Sequence, residues 1–588
     1  MLSARPLLLA ALPLILLLFV QQPSSSTQQL QTLLASWLPS SLHNAILLDR
    51  PRVAISQGTV VGTTLTDTLN HPVDAFRGIP YAVPPVGDRR FRRAVPVNAS
   101  DELVDASRYG PRCPGKQLLQ IPGDSGSSED CLTVNVFRPQ GVQGKLPVAV
   151  YVHGGAYNRG TASMASACAL EASKANKKHA QLTHCRIGAL GFLPSTTTAN
   201  EGILNLGLHD QLLLFQWVQD NIASFGGDPS QVTLIGLSAG AHSIAHHILN
   251  PDLQHTYFHR AIIESGAATS RAVHAHNAAL HEAQFREFVT AAGCAHTLSL
   301  PDPNILTCLR AAPSTTITTA SSTVFDRYNP SVRWAFQPVI DGDLIKRRPI
   351  DAWRAGAWNK NIALLTGFNT NEGTYYVPTA LATAAEFSAF FAALLPAWTA
   401  QDLRAIDALY PDPAVDGASP YLETRNISVG PQFKRVEAAY GHYAYACPVR
   451  QTARFVSAAQ QQREPVFLYR WALNRTVLGG ANHGDQMAYE TFDPEVRAFS
   501  PAQEEMAGTF HAYITSFIVS GDPNAVRGRF ARRPRWEPFD ASQRIMVLGE
   551  GNDERAGGRG VGVTAQMADD EWSSKECDFW WTKSGVSD

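Results

Sequence analysis

Runs of nearly continuous apolar residues recur along most of the chain, separated by stretches with helical periodicity. "LPVAVYV" (146–152), "QVTLIG" (231–236), "HRAIIES" (259–265), "NIALLTG" (361–367) and "PVFLYRWAL" (465–473) read as strands. Their hydrophobicity hardly alternates, as expected of strands covered on both faces. Between them, "HDQLLLFQWVQDNIASF" (209–225) and "PAQEEMAGTFHAYITSFIVSG" (501–521) carry apolar residues at helical spacing. Strand and helix alternating over this length predict an α/β fold with one large, mostly parallel central sheet flanked by helices. No repeat, low-complexity linker or charge block divides the chain, so residues 27–588 are expected to form a single domain.

The N-terminus breaks this pattern. "MLSARPLLLAALPLILLLFVQQPSSS" has one basic residue, Arg5, then an apolar run from Leu7 to Val20 and polar residues at once after it. That run is short for a bilayer span and suits a signal-peptide core, so residues 1–26 are expected to direct export and be removed. The alternative is a retained signal anchor, since the Ala-x-Ala cleavage pattern is missing. Past this segment nothing is apolar enough to span a bilayer, and no stable membrane insertion is expected after cleavage. The expected location is extracellular.

Composition narrows the chemistry. Basic and acidic residues nearly balance, 49 against 51, and no basic tract follows the pattern of a phosphate-binding surface, which argues against nucleic acid as a partner. The 8 cysteines of an exported chain read first as disulfides. None lies in a C-x-x-C pair or at zinc spacing from histidine, so neither metal nor other cofactor is expected. Asn98, Asn426 and Asn474 each begin an acceptor sequon for glycosylation, the alternative at each being an unmodified surface asparagine.

"IGLSAGAH" (235–242) contains G-x-S-x-G, with Ser238 between Gly236 and Gly240. It follows a predicted strand and precedes a small-residue helical segment, the context in which a serine sits on a sharp turn as a nucleophile. A serine hydroxyl needs a base, an orienting acid and donors for an oxyanion. Downstream, "GFNTNEG" (367–373) puts Glu372 just past a strand, and "GGANHGDQM" (479–487) puts His483 in a glycine-flanked loop. The order Ser…Glu…His fits such a triad. His242, His246 and His247 are read as ordinary surface or helix-face residues. Upstream, the small residues of "YVHGGAYNRG" (151–160) follow a strand and can turn N–H groups toward a substrate oxygen, the alternative being an ordinary Gly-Gly turn.

Taken in order, these stretches resemble the type-B carboxylesterase family of α/β-hydrolases, which includes cholinesterases and some fungal lipases. The likeness runs from about residue 57 to residue 581, and includes "FRGIPYAVPPVGDRRF" (76–91), "SEDCLTVNVFRP" (128–139) and "NLGLHDQLLLFQWVQDNIASFGGDPSQVTLIGLSAGA" (205–241). The resemblance implies Ser238 as nucleophile, Glu372 as acid and His483 as base, with the N–H groups of Gly155, Ala156 and Ala239 as oxyanion donors. It implies disulfides Cys113–Cys131, Cys294–Cys308 and Cys447–Cys577, ion pairs Arg90–Glu129 and Arg186–Asp210, and Ser265 as a support for the catalytic loop. The expected function is secreted hydrolysis of small-molecule carboxylic esters through an acyl-enzyme. A triacylglycerol lipase is the alternative, and a non-catalytic binding or adhesion protein a more distant one. Nothing in the sequence assigns an oligomeric state.

Three departures refine this expectation. Leu237 stands where many relatives carry Glu, and "PGKQLLQIPGDSGSSED" between Cys113 and Cys131 holds no aromatic residue. Both disfavour choline esters, which need an aromatic face for their cation, and point to neutral esters. The same loop is short for a long mobile lid. Finally, the fold needs a buried strand where this chain has "LEASKANKKHAQLTHC" (170–185), with three lysines and two histidines. Burying that many charges is costly. The segment is therefore expected to loop out as an insertion or to reflect a misassigned exon boundary, leaving Cys168 and Cys185 without partners.

Overall fold

The computed structural model describes residues 50–66, 72–116, 126–141, 143–162, 179–253, 257–425, 427–459, 464–475 and 479–585, with backbone only for 179–183. The predicted signal segment, the sequon at Asn426, Cys168 and most of the loop between Cys113 and Cys131 lie outside the described residues.

Among the described residues, fourteen strands form two sheets. A small three-stranded sheet contains β1 (Arg52–Ile55), β2 (Gly58–Val61) and β5 (Leu103–Asp105). The large sheet has eleven strands: β3 (Thr63–Leu65), β4 (Val73–Pro80), β6 (Thr133–Pro139), β7 (Leu146–Val152), β8 (His179–Thr183), β9 (Gly227–Leu237), β10 (Arg260–Glu264), β11 (Ala363–Asn369), β12 (Val466–Trp471), β13 (Arg544–Asp553) and β14 (Gly560–Asp569). Their order is β14-β13-β12-β11-β10-β9-β7-β8-β6-β4-β3. From β13 to β8 neighbouring strands run parallel, and antiparallel strands close both edges.

The apolar runs are explained by what covers them. On β7, Val148, Val150 and Val152 join a core with helices α1 (Leu206–Asn221), α2 (Ala239–Ile248) and α4 (Cys447–Ser457), through residues such as Phe215, Ile244 and Val449. Ala149 faces the opposite way, into a core shared with Phe510, Tyr513 and Phe517 of helix α5 (Pro501–Ser520). β10 divides likewise, with Ala261 and Ile263 on one side and Ile262 on the other. Each strand thus buries both of its residue sets, and an alternating sequence would leave one face polar against a helix.

The segment before Cys185 corrects an expectation. His179–Thr183 forms β8, paired in parallel with β7 (Val148↔His179 to Val152↔Thr183) and antiparallel with β6. All three lysines, Lys174, Lys177 and Lys178, precede the strand, so its five residues enter the sheet without a lysine. Cys185 follows as a buried free thiol beside the Gln211 amide, and burial pushes its pKa up to about 12.

Disulfides join Cys113 to Cys131, Cys294 to Cys308 and Cys447 to Cys577, the pairs that the resemblance implied. Two buried ion pairs fasten loops, one to another loop and one to α1. Arg90 grips Glu129 through two bonds of 2.7 and 2.6 Å, and Arg186 grips Asp210 of α1 at 2.8 and 2.7 Å. Remaining guanidinium donors reach backbone carbonyls, Ala312 O for Arg90 and Arg92 O for Arg186. Removing one partner of such a pair strands the other charge. Arg186→Leu is therefore expected to lower the unfolding free energy by about 3–5 kcal/mol, read by urea denaturation. An unchanged midpoint would mean that Asp210 is satisfied without Arg186.

Candidate active site

β9 ends at Leu237 and α2 begins at Ala239, so the whole reversal of direction falls on Ser238. Its φ of 58° and ψ of −126° lie where side-chain-bearing residues are strained. Glycines clear the space the turn requires. A Cβ on Gly240 would sit 2.0 Å from Val152 O, and one on Gly236 would sit 2.6 Å from the Gly240 carbonyl carbon. Gly154, in the loop after β7, would bring a Cβ to 3.0 Å from Ser238 Cβ. The Ser238 N–H donates to Glu264 O at 3.0 Å, fastening the turn to the end of β10.

Glu372 follows β11, and His483 comes in the loop after β12. The His483 Nδ1–H donates to Glu372 Oε2 at 2.5 Å, while Glu372 Oε1 accepts the Asn369 N–H at 2.7 Å. A carboxylate on Nδ1 fixes the tautomer that leaves Nε2 as the proton acceptor. That Nε2 is buried and has no hydrogen-bond partner among the described residues. The two loops are laced together: the Asn371 N–H donates to Ala481 O at 2.8 Å, and Asn369 Nδ2 donates to Asn482 O at 2.5 Å. The histidine loop also meets the elbow, since a Cβ on Gly484 would lie 3.4 Å from Leu237 Cδ2. Tyr376 and Tyr445 enclose the imidazole, with ring centroids 5.3 and 4.5 Å from it.

The peptide planes around residues 154–156 and 238 follow from their carbonyls. Gly155 (φ 120°), Ala156 (φ 54°) and Tyr157 (φ 60°) form an unusual left-handed run. Gly155 O accepts from the N–H groups of Asn158 and Arg159 at 3.1 and 3.0 Å, which turns the Ala156 N–H the opposite way. Gly154 O accepts from His153 Nδ1–H at 2.9 Å, which orients the Gly155 N–H. Burial lowers the His153 pKa, only partly offset by this bond, so the ring stays neutral. Ser238 O accepts from the His242 N–H at 2.9 Å, so the Ala239 N–H points out of the first turn of α2. Among the described residues no acceptor takes these three N–H groups.

Several contributors carried no role in the sequence reading. His153 precedes the two glycines directly, a signal available in "YVHGGAY". Gln337 Nε2 holds Ala156 O at 3.0 Å from a distant loop, which no local pattern reveals, and Asn158 Nδ2 holds it at 2.9 Å from within the same turn. Tyr445 is placed by a π-helical turn, His442–Ala446, between α3 (Phe433–Gly441) and α4. Glu264 lies buried behind the site, accepts the Tyr469 hydroxyl at 2.6 Å and hydrogen-bonds Glu490. Burial pushes its pKa up, which favours its neutral form beside Glu372.

Other expected residues fall as follows. Ser265 sits buried at φ 49° after β10, its N–H on Gly367 O at 2.8 Å, but its hydroxyl has no partner among the described residues. Any support it gives the catalytic loop passes through the backbone. His242, His246 and His247 are helix-face residues as expected but none is on the surface. Burial lowers their pKa values, to about 4 for His246 and about 3 for His247. Asn98 is exposed, and Asn474 is half-buried with its amide oxygen on the Gly480 N–H.

Among the described residues there is no cluster able to hold a metal, and no helix long and apolar enough to cross a membrane. The carboxylesterase family model matches residues 49–580. "Secreted lipase 4" of Gibberella zeae is 34% identical over 542 residues, 89% of this chain and 91% of that protein. "Lipase 2" of Geotrichum candidum is 28% identical over 520 residues, 82% and 88% of the respective chains. The solved structure of EstA from Aspergillus niger aligns with a TM-score of 0.76 at 27% identity, covering 92% of this chain and 99% of that one.

Asp485, two residues after His483, gives the site a pH signature. Its Oδ2 accepts the Asn482 N–H at 2.7 Å, yet burial outweighs that bond and pushes its pKa up to about 7. A carboxyl near 3.9 when unfolded and near 7 when folded keeps an extra proton in the fold between those values. Stability from this residue is thus lost as pH rises toward 7. Asp485→Asn should gain on wild type by up to about 1.4 kcal/mol per pH unit between pH 5 and 7, measured by urea unfolding at each pH. A constant difference would contradict the assignment.

Proposed function

The chain belongs to the carboxylesterase family and is a carboxylic ester hydrolase, and on that footing we propose a Ser238–His483–Glu372 mechanism acting in the extracellular space. The observation that carries it is the His483 imidazole, held on Glu372 at 2.5 Å with Nε2 buried and unpartnered beside the elbow. Nε2 takes the Ser238 proton as the oxygen attacks the ester carbonyl. The tetrahedral oxyanion accepts from the N–H groups of Gly155, Ala156 and Ala239. Because their planes are set by other bonds, these donors need no reorganisation when charge develops, and each contributes about 10²–10³ in rate. The imidazolium then protonates the leaving alcohol, and Glu372 stabilises that cation. Water repeats the sequence on the acyl-enzyme and releases the acid.

We read residues 1–26 as a signal peptide and 27–588 as one catalytic domain. Three disulfides support passage through an oxidising compartment, as does the relative named a secreted lipase. Glycosylation is proposed at Asn98, whose side chain is exposed, and at Asn426 and Asn474 from their sequons alone. A lipase reading draws on the names of the Gibberella and Geotrichum relatives; the short Cys113–Cys131 loop favours soluble esters.

Ser238→Ala should lower kcat on p-nitrophenyl butyrate by at least about 10⁴-fold with an unchanged circular dichroism spectrum. Undiminished turnover would overturn the mechanism. Across p-nitrophenyl esters of increasing acyl length, the rate should show no jump as the substrate passes into micelles. Such a jump would favour the lipase.

A further inference from the structure

A pocket opens beside the site, walled in part by Tyr157 of the oxyanion turn and His242 of α2. Ser238 and His483 are not in its wall, but one ring links it to them. Arg271 lines the pocket, with its guanidinium carbon 5.3 Å from the centroid of Tyr445, whose other neighbour at 4.5 Å is His483. The Arg271 guanidinium carbon lies 3.7 Å from the Trp334 ring centroid and 5.8 Å from that of Tyr376. One terminal nitrogen donates to the Tyr445 hydroxyl, and Nε is buried without a partner.

Arginine in so aromatic a setting ordinarily has a carboxylate nearby, because an unpaired buried cation is costly. Among the described residues Arg271 has no ion pair, and neither has Arg333 in the same wall. No aspartate or glutamate lines the pocket. Its histidines His242, His246, His274 and His281 are held neutral by burial, so they neither supply nor cancel charge near pH 7. The wall therefore has an uncompensated positive charge, with the Arg271 guanidinium over the Trp334 ring and its Nε donor unspent among the described residues. That is the geometry for a planar anion.

We propose that the pocket takes an ionised carboxylate of the substrate on Arg271, so that the preferred esters carry a second, free carboxylate. This rests on the ester-hydrolase reading and deepens it: the absent Glu at position 237 removes a cation site, and Arg271 supplies an anion site instead. Substrates of this class are half-esters of dicarboxylic acids and esters of hydroxy acids. The reaction is unchanged; water and ester give acid and alcohol, and the second carboxylate only positions the carbonyl over Ser238.

The test compares p-nitrophenyl hemiglutarate with the nearly isosteric, uncharged p-nitrophenyl valerate on the full chain. Wild type should show a higher kcat/KM for the hemi-ester, and Arg271→Gln should lower the ratio of the two kcat/KM values by about 10- to 100-fold. Arg271→Lys should restore part of that ratio. Free glutarate should inhibit wild type competitively and Arg271→Gln at least about 10-fold more weakly. A ratio that is the same in wild type and Arg271→Gln, with both rates falling together, would make Arg271 a structural prop and overturn the proposal. If Arg271→Gln does not fold, a wild-type enzyme that is indifferent to glutarate and prefers the valerate overturns it alone. Hydrolysis of neither ester would instead count against the ester-hydrolase reading itself.

Discussion

The site depends on the close backbone approach where β7, β9 and the first turn of α2 meet. Val152 O occupies the place where a side chain at position 240 would begin, and Leu237 O the place for one at 154. Only with those side chains missing can the chain reverse at Ser238 and hold it at φ 58°. The reversal puts Ser238 at the mouth of a helix whose first N–H groups are unspent, beside a glycine turn with the same surplus. One steric requirement thus places the hydroxyl and the oxyanion donors together. The strain at Ser238 is carried by the sheet, through its N–H on Glu264 O and the parallel pairing of β9 with both β7 and β10.

Charge is distributed with similar economy. Glu372 faces the imidazole, while burial pushes the pKa of the neighbouring Glu264 up and Asp485 is protonated over much of the acidic range. The histidines packed behind the nucleophile are neutral. What remains is one carboxylate under one imidazole, and an arginine one ring away whose charge the protein leaves unanswered. In the proposed mechanism the first arrangement serves the reaction, and in the proposed specificity the second selects the substrate.

How much of this was legible in the sequence follows from how local each signal is. Strands β7, β9, β10, β11 and β12 were visible because burial on both faces leaves unbroken apolar runs. Ser238 and the glycines around it were visible because the elbow is a constraint within five residues. Glu372 and His483 needed chain order and resemblance, since their partnership spans more than a hundred residues. β8 was misjudged because the lysines before it were counted with the strand itself, whereas the sheet takes only His179–Thr183. Gln337, Tyr445 and Arg271 gave no local sign at all. Their positions are set by a π-helical turn and by loops distant in the sequence from the residues they meet. The histidines of α2 were placed on the right helix but on the wrong side of it, because periodicity alone does not distinguish a small-residue face packed inward from a polar one.

The claim on which everything else rests is that Ser238 attacks. Brief exposure of the native protein to a fluorophosphonate, followed by digestion and mass spectrometry, reads this directly. The account predicts one adduct per chain, on Ser238, with none on protein unfolded before labelling. No adduct on the folded protein, or an adduct on another residue, would contradict it.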